Sequence, residues 1–183
     1  MGEADGSAAV ARARDAVARA VQALGEASAR TETLAEFVPS RRVLGMPRAP
    51  RMRVIGPVWR LGVLLLDADG RVYGTGRVIR AERAARKSVT AESVAVQRAY
   101  RAAAVKGGIA EGTTVVFDAE PVELDAAVLA ADATSGPLVL TSGADGSSQL
   151  AVRWNPARDD ALIPFESYLA ERVDLLLNPP QGA

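Results

Sequence analysis

Regular spacing of apolar residues predicts four helices in this chain. Across residues 7–29 the apolar side chains recur at steps of three, four and seven residues, and alanine, the strongest helix former, is abundant. A second helix is expected to begin at Thr90, whose hydroxyl suits an N-cap, and to end at Gly107 and Gly108. Two more helices are predicted, over residues 124–131 and 165–177.

Runs rich in Val, Ile and Leu that are bounded by turn residues predict strands. The clearest case is a hairpin around "DADG", residues 67–70, where Gly70 can adopt the positive φ that a tight turn needs. A second hairpin is predicted where "PLVLT" and "QLAVRW" flank a loop rich in Gly and Ser. The other predicted strands are residues 51–55, 58–66, 71–79 and 113–117.

This combination of hairpins and helices predicts an α+β fold. We expect a single, mostly antiparallel sheet built from hairpins, with N-terminal, central and C-terminal helices packed against it. By composition the chain divides into an Ala-rich helix, an irregular basic arm that contains Pro and Gly, an α+β domain and a disordered tail. These segments are residues 1–30, 31–50, 51–177 and 178–183.

The composition removes most catalytic chemistry from consideration. The 183 residues include no cysteine and no histidine, so the chain has no thiolate, no imidazole base and no disulfide. We therefore expect no cofactor, no metal site and no catalytic residue of the usual kinds. The acidic N-terminus is unlike an export signal, and the strongest apolar run, "LGVLLL", is too short to span a bilayer, which predicts a cytoplasmic chain without a membrane partner.

Charge is divided unevenly along the chain, although acids and bases balance overall. Residues 41–106 hold 15 Arg or Lys against 4 Asp or Glu, a net charge of +11, whereas residues 107–183 hold 3 against 12, a net charge of −9. Residues 41–53 contain no acid and five arginines, which are the candidate interaction residues: Arg41, Arg42, Arg48, Arg51 and Arg53.

Three partners fit these arginines: the acidic half of the same chain, an acidic face on a second copy or another protein, and nucleic acid. The overall neutrality of the chain weakens long-range attraction to nucleic acid, and the basic residues lack the interleaved aromatic side chains that stack on single-stranded bases. We therefore predict a non-catalytic protein-association domain with a charge-polarised surface. Nucleic-acid binding through the basic arm is an alternative.

Two acidic patterns are candidates for metal-dependent chemistry. Gly76 and Glu82 have the opening spacing of a Nudix pyrophosphohydrolase motif, but the Arg-Glu and Glu-Glu pairs that should follow are absent, so the likeness is limited to the hairpin. The segment "DAEPVELD" offers oxygen ligands for Mg²⁺ or Ca²⁺, although acidic loops are most often simply solvated; its carboxylates are Asp118, Glu120, Glu123 and Asp125. We assign no metal ligand to either pattern.

Two segments, "RRVLGMPRAPRMRVIGPVWRLGVLLLDADGRVYGTGRVIRA" and "ALIPFESYLAERVDLLL", resemble a group of short proteins from high-GC Gram-positive bacteria. Members of that group often carry the name glutaminase, so the resemblance implies hydrolysis of glutamine. Serine-type glutaminases use a Ser-x-x-Lys pair and amidotransferase-type glutaminases use cysteine and histidine, and this chain has neither arrangement. A glutaminase-like amidohydrolase is a second alternative, which would combine a Ser or Thr hydroxyl with carboxylates such as Glu92 or Glu120.

Overall fold

The computed structural model describes residues 3–43, 46–83, 92–131, 136–143, 146–155, 157–158 and 160–180. Within these residues the helices are α1 (Glu3–Glu26), α2 (Glu92–Lys106), α3 (Ala126–Ala131) and α4 (Phe165–Leu177). The strands are β1 (Glu32–Val38), β2 (Arg41–Val43), β3 (Met46–Arg48), β4 (Arg51–Leu61), β5 (Leu64–Leu66), β6 (Val72–Gly74), β7 (Arg77–Arg80), β8 (Thr114–Phe117), β9 (Glu120–Val122), β10 (Leu138–Ser142), β11 (Ser148–Arg153) and β12 (Leu162–Pro164). None of the described helices has the length and apolar character that crossing a bilayer requires.

Seven of these strands form the main sheet, in the order β7-β8-β1-β4-β5-β6-β9. Within the described chain every neighbouring pair of this sheet is antiparallel except β1 with β8. β10, β11 and β12 form a second antiparallel sheet, and β2 pairs with β3 in a third. The predicted α+β class and mostly antiparallel pairing are confirmed, with helices in N-terminal, central and C-terminal positions.

The chain divides into two compact units. Unit one comprises Met1–Arg30, Trp59–Gly74 and Glu120–Ala183, and unit two comprises Thr31–Val58 and Thr75–Ala119. Each unit has its own core of buried apolar side chains.

In unit one, α1 and α4 pack against each other and against the three-stranded sheet. The buried side chains of this unit include Leu24 on α1 and Phe165 on α4. The Tyr168 hydroxyl, also on α4, accepts a hydrogen bond from the backbone N–H of Val63 at 2.9 Å. This bond ties α4 to the turn between β4 and β5, where Gly62 has a φ of 69°.

In unit two, strands β7, β8, β1 and the first part of β4 share a core with the C-terminal half of α2. Phe37, Tyr100 and Phe117 form an aromatic cluster, and the ring centroids of Phe37 and Tyr100 lie 5.0 Å apart. Gly107, directly after α2, approaches the backbone carbonyl of Met52 so closely that a β-carbon would clash with it. The end of α2 is therefore held against β4 by a contact that only glycine permits.

The predicted helices are present with small changes at their ends. The first begins earlier than residue 7 and ends at Glu26, the last coincides with residues 165–177, and α2 stops before Gly107 as expected. The proposed cap Thr90 lies outside the described residues. Both predicted hairpins are confirmed, because β5 pairs with β6 and β10 pairs with β11 in antiparallel register.

The prediction that residues 31–50 form an irregular arm is wrong, because they contain the strands β1, β2 and β3. Its prolines indicated a break in regular structure, but among the described residues β2 and β3 pair with each other alone, and a strand at the edge of a sheet tolerates proline. Leu34 and Ala35, consecutive in β1, are both buried. A strand covered on both faces lacks the alternation of apolar and polar residues that reveals a strand in sequence.

Two segments that were each predicted to be one strand are each divided in two. Residues 58–66 turn at Gly62, between β4 and β5. Residues 71–79 are interrupted between β6 and β7, where Gly76 packs against the backbone carbonyls of Phe117 and Asp118. The short strands β9 and β12 carry too little pattern to be predicted from the sequence.

The turn between β5 and β6 is held by the carboxylate of Asp67. It accepts hydrogen bonds from the backbone N–H groups of Asp69 and Arg71, at 3.0 and 2.8 Å, and from the Tyr73 hydroxyl at 3.1 Å. Burial, together with the hydrogen bond to Asp67, raises the pKa of Tyr73. The folded turn therefore favours the neutral phenol.

We expect Gly107→Ala to lower the free energy of unfolding by about 1–3 kcal/mol, because the added methyl group would collide with the Met52 carbonyl. Urea unfolding followed by circular dichroism measures this change. The matched control is Gly25→Ala, where no atom lies within 4 Å of the added methyl group. Because Gly25 is helical, the control should be neutral or stabilising by up to about 1 kcal/mol, and equal destabilisation of both variants would contradict the close contact.

Tyr73→Phe should lower the free energy of unfolding by about 1 kcal/mol at neutral pH, because a hydrogen bond to the partly buried Asp67 is lost. A phenol whose pKa is raised by folding adds stability below its unfolded pKa of about 10, and that stability disappears as the pH rises through the folded pKa. The difference between the two proteins should therefore shrink above pH about 10 in urea titrations. A difference that stays constant through pH about 11 would show that the phenol is not preferentially neutral in the fold.

Candidate functional site

The arginine-rich segment forms an antiparallel ribbon within unit two. Val38 pairs with Arg51, and farther along the chain Arg41 pairs with Arg48 in the same register. β2 and β3 therefore continue the β1–β4 ladder outward, and at about 3.3 Å per residue this extension adds roughly 15 Å. We call residues 36–43 and 46–55 the arginine ribbon.

All five candidate arginines lie on the arginine ribbon: Arg41 and Arg42 on β2, Arg48 on β3, and Arg51 and Arg53 on β4. Arg48, Arg51 and Arg53 are exposed. Because alternate residues of a strand share a face, Arg51 and Arg53 project from the same side of β4. The fold thus gathers residues that are up to twelve positions apart into one paired element.

Neighbouring acids neutralise only part of this positive charge. Arg53 forms an ion pair with Glu36, which lies directly opposite it in the β1–β4 register. In the part of the chain that the structure describes, the guanidinium groups of Arg48 and Arg51 have no hydrogen bond or ion pair. Two exposed guanidinium groups therefore remain free to meet a partner.

Two apolar side chains are exposed beside these arginines. Val54 and Ile55 are 50% and 59% exposed. The ladder pairs Ala35 with Val54 and Leu34 with Gly56, so Ile55 is the extra residue of a β-bulge. The bulge interrupts the alternation of faces along β4, and both apolar side chains are exposed directly after Arg53 in the chain.

The division of charge follows the two compact units. Unit two holds 13 basic and 6 acidic residues, a net charge of +7, and unit one holds 9 basic and 16 acidic residues, a net charge of −7. Four of the six acids of unit two are in ion pairs with arginines; these pairs are Glu36–Arg53, Glu82–Arg101, Glu111–Arg83 and Asp118–Arg77. The remaining basic residues leave unit two with its net positive charge.

The carboxylates of the acidic segment at residues 118–125 do not form a metal site in the described structure. Among the described ranges no three Asp or Glu side chains meet in a way that could hold a metal ion. Asp118 lies 3.5 Å from the Arg77 guanidinium, and Asp125 accepts hydrogen bonds from the first backbone N–H groups of α3. Glu120 lies on β9 and Glu123 follows that strand.

The other carboxylates considered for catalysis either pair with an arginine or have no hydroxyl group bonded to them in the described chain. Glu82, the glutamate with Nudix-like spacing, bonds the Arg101 guanidinium at 2.9 Å. Glu92 begins α2, and in the described chain no hydrogen bond joins it or Glu120 to a hydroxyl group. The Arg158 guanidinium bonds Asp160 and lowers the pKa of that carboxyl.

Comparison with known proteins adds no further candidate. No protein-family model, no curated protein and no solved structure matches this chain. The arginine ribbon is therefore defined by its own geometry and charge.

Sequence reasoning identified the arginines but missed their apolar neighbours. Val54 and Ile55 were assigned to a strand without an exposed role, because two consecutive β-branched residues usually indicate burial. The following Gly56 and Pro57 were the available signal, since both residues are associated with irregular strand pairing. Arg98 and Arg101 on α2 were also missed as a group.

Proposed function

We propose that this chain is a non-catalytic binding domain that associates with an acidic protein surface through the arginine ribbon. The observation that carries the proposal is the exposure of Arg51, Val54 and Ile55 along one short stretch of β4, near the unpartnered Arg48. Protein interfaces combine such apolar and arginine side chains, because the apolar groups lose water on contact while the guanidinium forms paired bonds to a carboxylate.

Charge favours an acidic partner and restricts its approach. The net charge of +7 on unit two attracts negative surfaces, accelerates their encounter and repels basic ones. A second copy of this chain offers such a surface, because its unit one carries −7. Contact between unlike surfaces of identical chains is head-to-tail, which produces a ring or an open chain of copies.

Replacing Arg48 and Arg51 together by alanine tests the ribbon directly. We expect about tenfold weaker binding of a fluorescein-labelled peptide of alternating glutamate and leucine, measured by fluorescence anisotropy, because two charge pairs are lost. Binding by the unmodified chain should also weaken when the salt concentration is raised from about 50 to about 500 mM. Since neither arginine has a partner in the described chain, the thermal unfolding curve should not change.

The matched control is Arg19→Ala with Arg30→Ala, which removes the same charge from exposed positions of unit one. The control should bind the peptide as the unmodified chain does. Light scattering of the protein alone separates the two kinds of partner, since growth in mass at low salt that the ribbon variant abolishes identifies a second copy. Absence of both peptide binding and self-association at low salt would overturn the proposal.

Duplex nucleic acid is a second candidate, favoured by the shape of the ribbon. A two-stranded antiparallel ribbon fits the major groove of DNA, and arginine contacts both phosphates and guanine edges there. If this partner is correct, a labelled DNA duplex should bind with an affinity that falls linearly with the logarithm of salt concentration. Removing Arg48 and Arg51 should lower the salt slope by about two, whereas absent or salt-independent binding would exclude this candidate.

A further inference from the structure

A second basic site lies on unit two, along the exposed part of α2. Every residue from Glu92 to Ala99 is exposed, so the first two turns of this helix are not covered by the described chain. Beside them lies a cleft of about 300 Å³, lined by the side chains of Glu82, Arg83, Arg98 and Arg101 and by three alanines of α2. We call it the α2 cleft.

Arg98 and Arg101 border a second concave surface as well. They lie three positions apart on α2 and therefore face the same way. A neighbouring depression of about 430 Å³ is lined by both of them together with Ser93 and Gln97. The Ser93 hydroxyl and the Gln97 amide therefore line the same surface as the two guanidinium groups.

The charges in the α2 cleft are only partly compensated. Arg101 bonds Glu82 at 2.9 Å, and Arg83 lies 3.4 Å from Glu111. The Arg98 guanidinium has no hydrogen bond or ion pair within the described residues. Because Glu82 pairs with Arg101 and Glu111 with Arg83, three arginines against two glutamates leave a net charge of +1, carried by Arg98.

We propose that the α2 cleft binds a phosphate monoester carried by a small molecule. Arg98 and Arg101 line the same concave surface, and the three acceptor oxygens of a phosphate monoester can meet both guanidinium groups at once, whereas a carboxylate offers only two oxygens. Guanidinium groups match phosphate oxygens in pairs of parallel N–H···O bonds, and Arg98 is free to form them. This inference is independent of the ribbon and of its partner.

The alanines of α2 explain how a ligand reaches these arginines. Ala95, Ala99 and Ala102 carry only a methyl group, which leaves space between the helix and residues 82–83. The volume of about 300 Å³ lies at the lower end of the range for small-molecule sites. A compact organic group attached to the phosphate would rest on this apolar floor.

Titration of the ¹⁵N-labelled protein with phenyl phosphate, at constant ionic strength, tests the site. We expect saturable shifts of the Nε–H signals of Arg98 and Arg101, and at least about tenfold weaker binding in the Arg98→Ala variant. Because Arg98 has no partner in the described chain, this substitution should leave the unfolding temperature unchanged. Arg19→Ala, which removes an exposed arginine from unit one, should bind as the unmodified protein does.

Two further titrations separate the possible sources of a signal. Inorganic phosphate should produce the same arginine shifts, and acetate should produce much weaker ones, because it supplies one charge and two oxygens. Equal affinity for acetate and phenyl phosphate would overturn the assignment to a phosphate group. Shifts that grow without saturation, or that persist unchanged in Arg98→Ala, would overturn the site itself.

Discussion

The excess of arginine over acid in unit two determines how the surface of that unit is organised. Thirteen basic residues meet only six acids, four of which are already in ion pairs with arginines. Like charges destabilise a compact surface unless water and salt separate them. Arg48, Arg51 and Arg98, whose guanidinium groups have no partner among the described residues, are exposed on the arginine ribbon and on α2. Both proposed binding surfaces are consequences of this placement.

The arginine ribbon packs against α2 at its base. Near the base, Met52 is buried and its carbonyl is in close contact with Gly107, while Phe37 packs edge-to-face against Tyr100. Farther out, and among the described residues, β2 and β3 pair with each other alone, so their outer edges have no strand partner there. Exposed edges invite unwanted pairing with other strands, and charged side chains and proline oppose it. The arginines and Pro47 therefore protect the same element that we propose as a binding surface.

Helix ends and tight turns could be predicted where a single residue or short motif determines them. The pairing of the arginine ribbon could not. Proline and glycine gave the ends of α4 and α2, and "DADG" gave the turn at Asp67, because each acts through the conformation of its own backbone. The pairing of β2 with β3 depends on partners across a ladder, which a pattern along one strand does not contain. The arginines of the site were recognised from charge alone. Their apolar neighbours and the α2 cleft appeared only when burial and distance were known.

The β-bulge at Ile55 makes the length of this part of β4 as important as its composition. Because side chains alternate between faces, removing Val54 while the bulge is kept would exchange the two faces of the strand from Arg51 to Arg53. Arg51 and Arg53 would then lie on the face where Met52 now packs, and the methionine would enter solvent. Removing Ile55 itself would only straighten the ladder, because it is the extra residue of the bulge. The position of a deletion therefore decides whether the two faces of the ribbon are exchanged or kept.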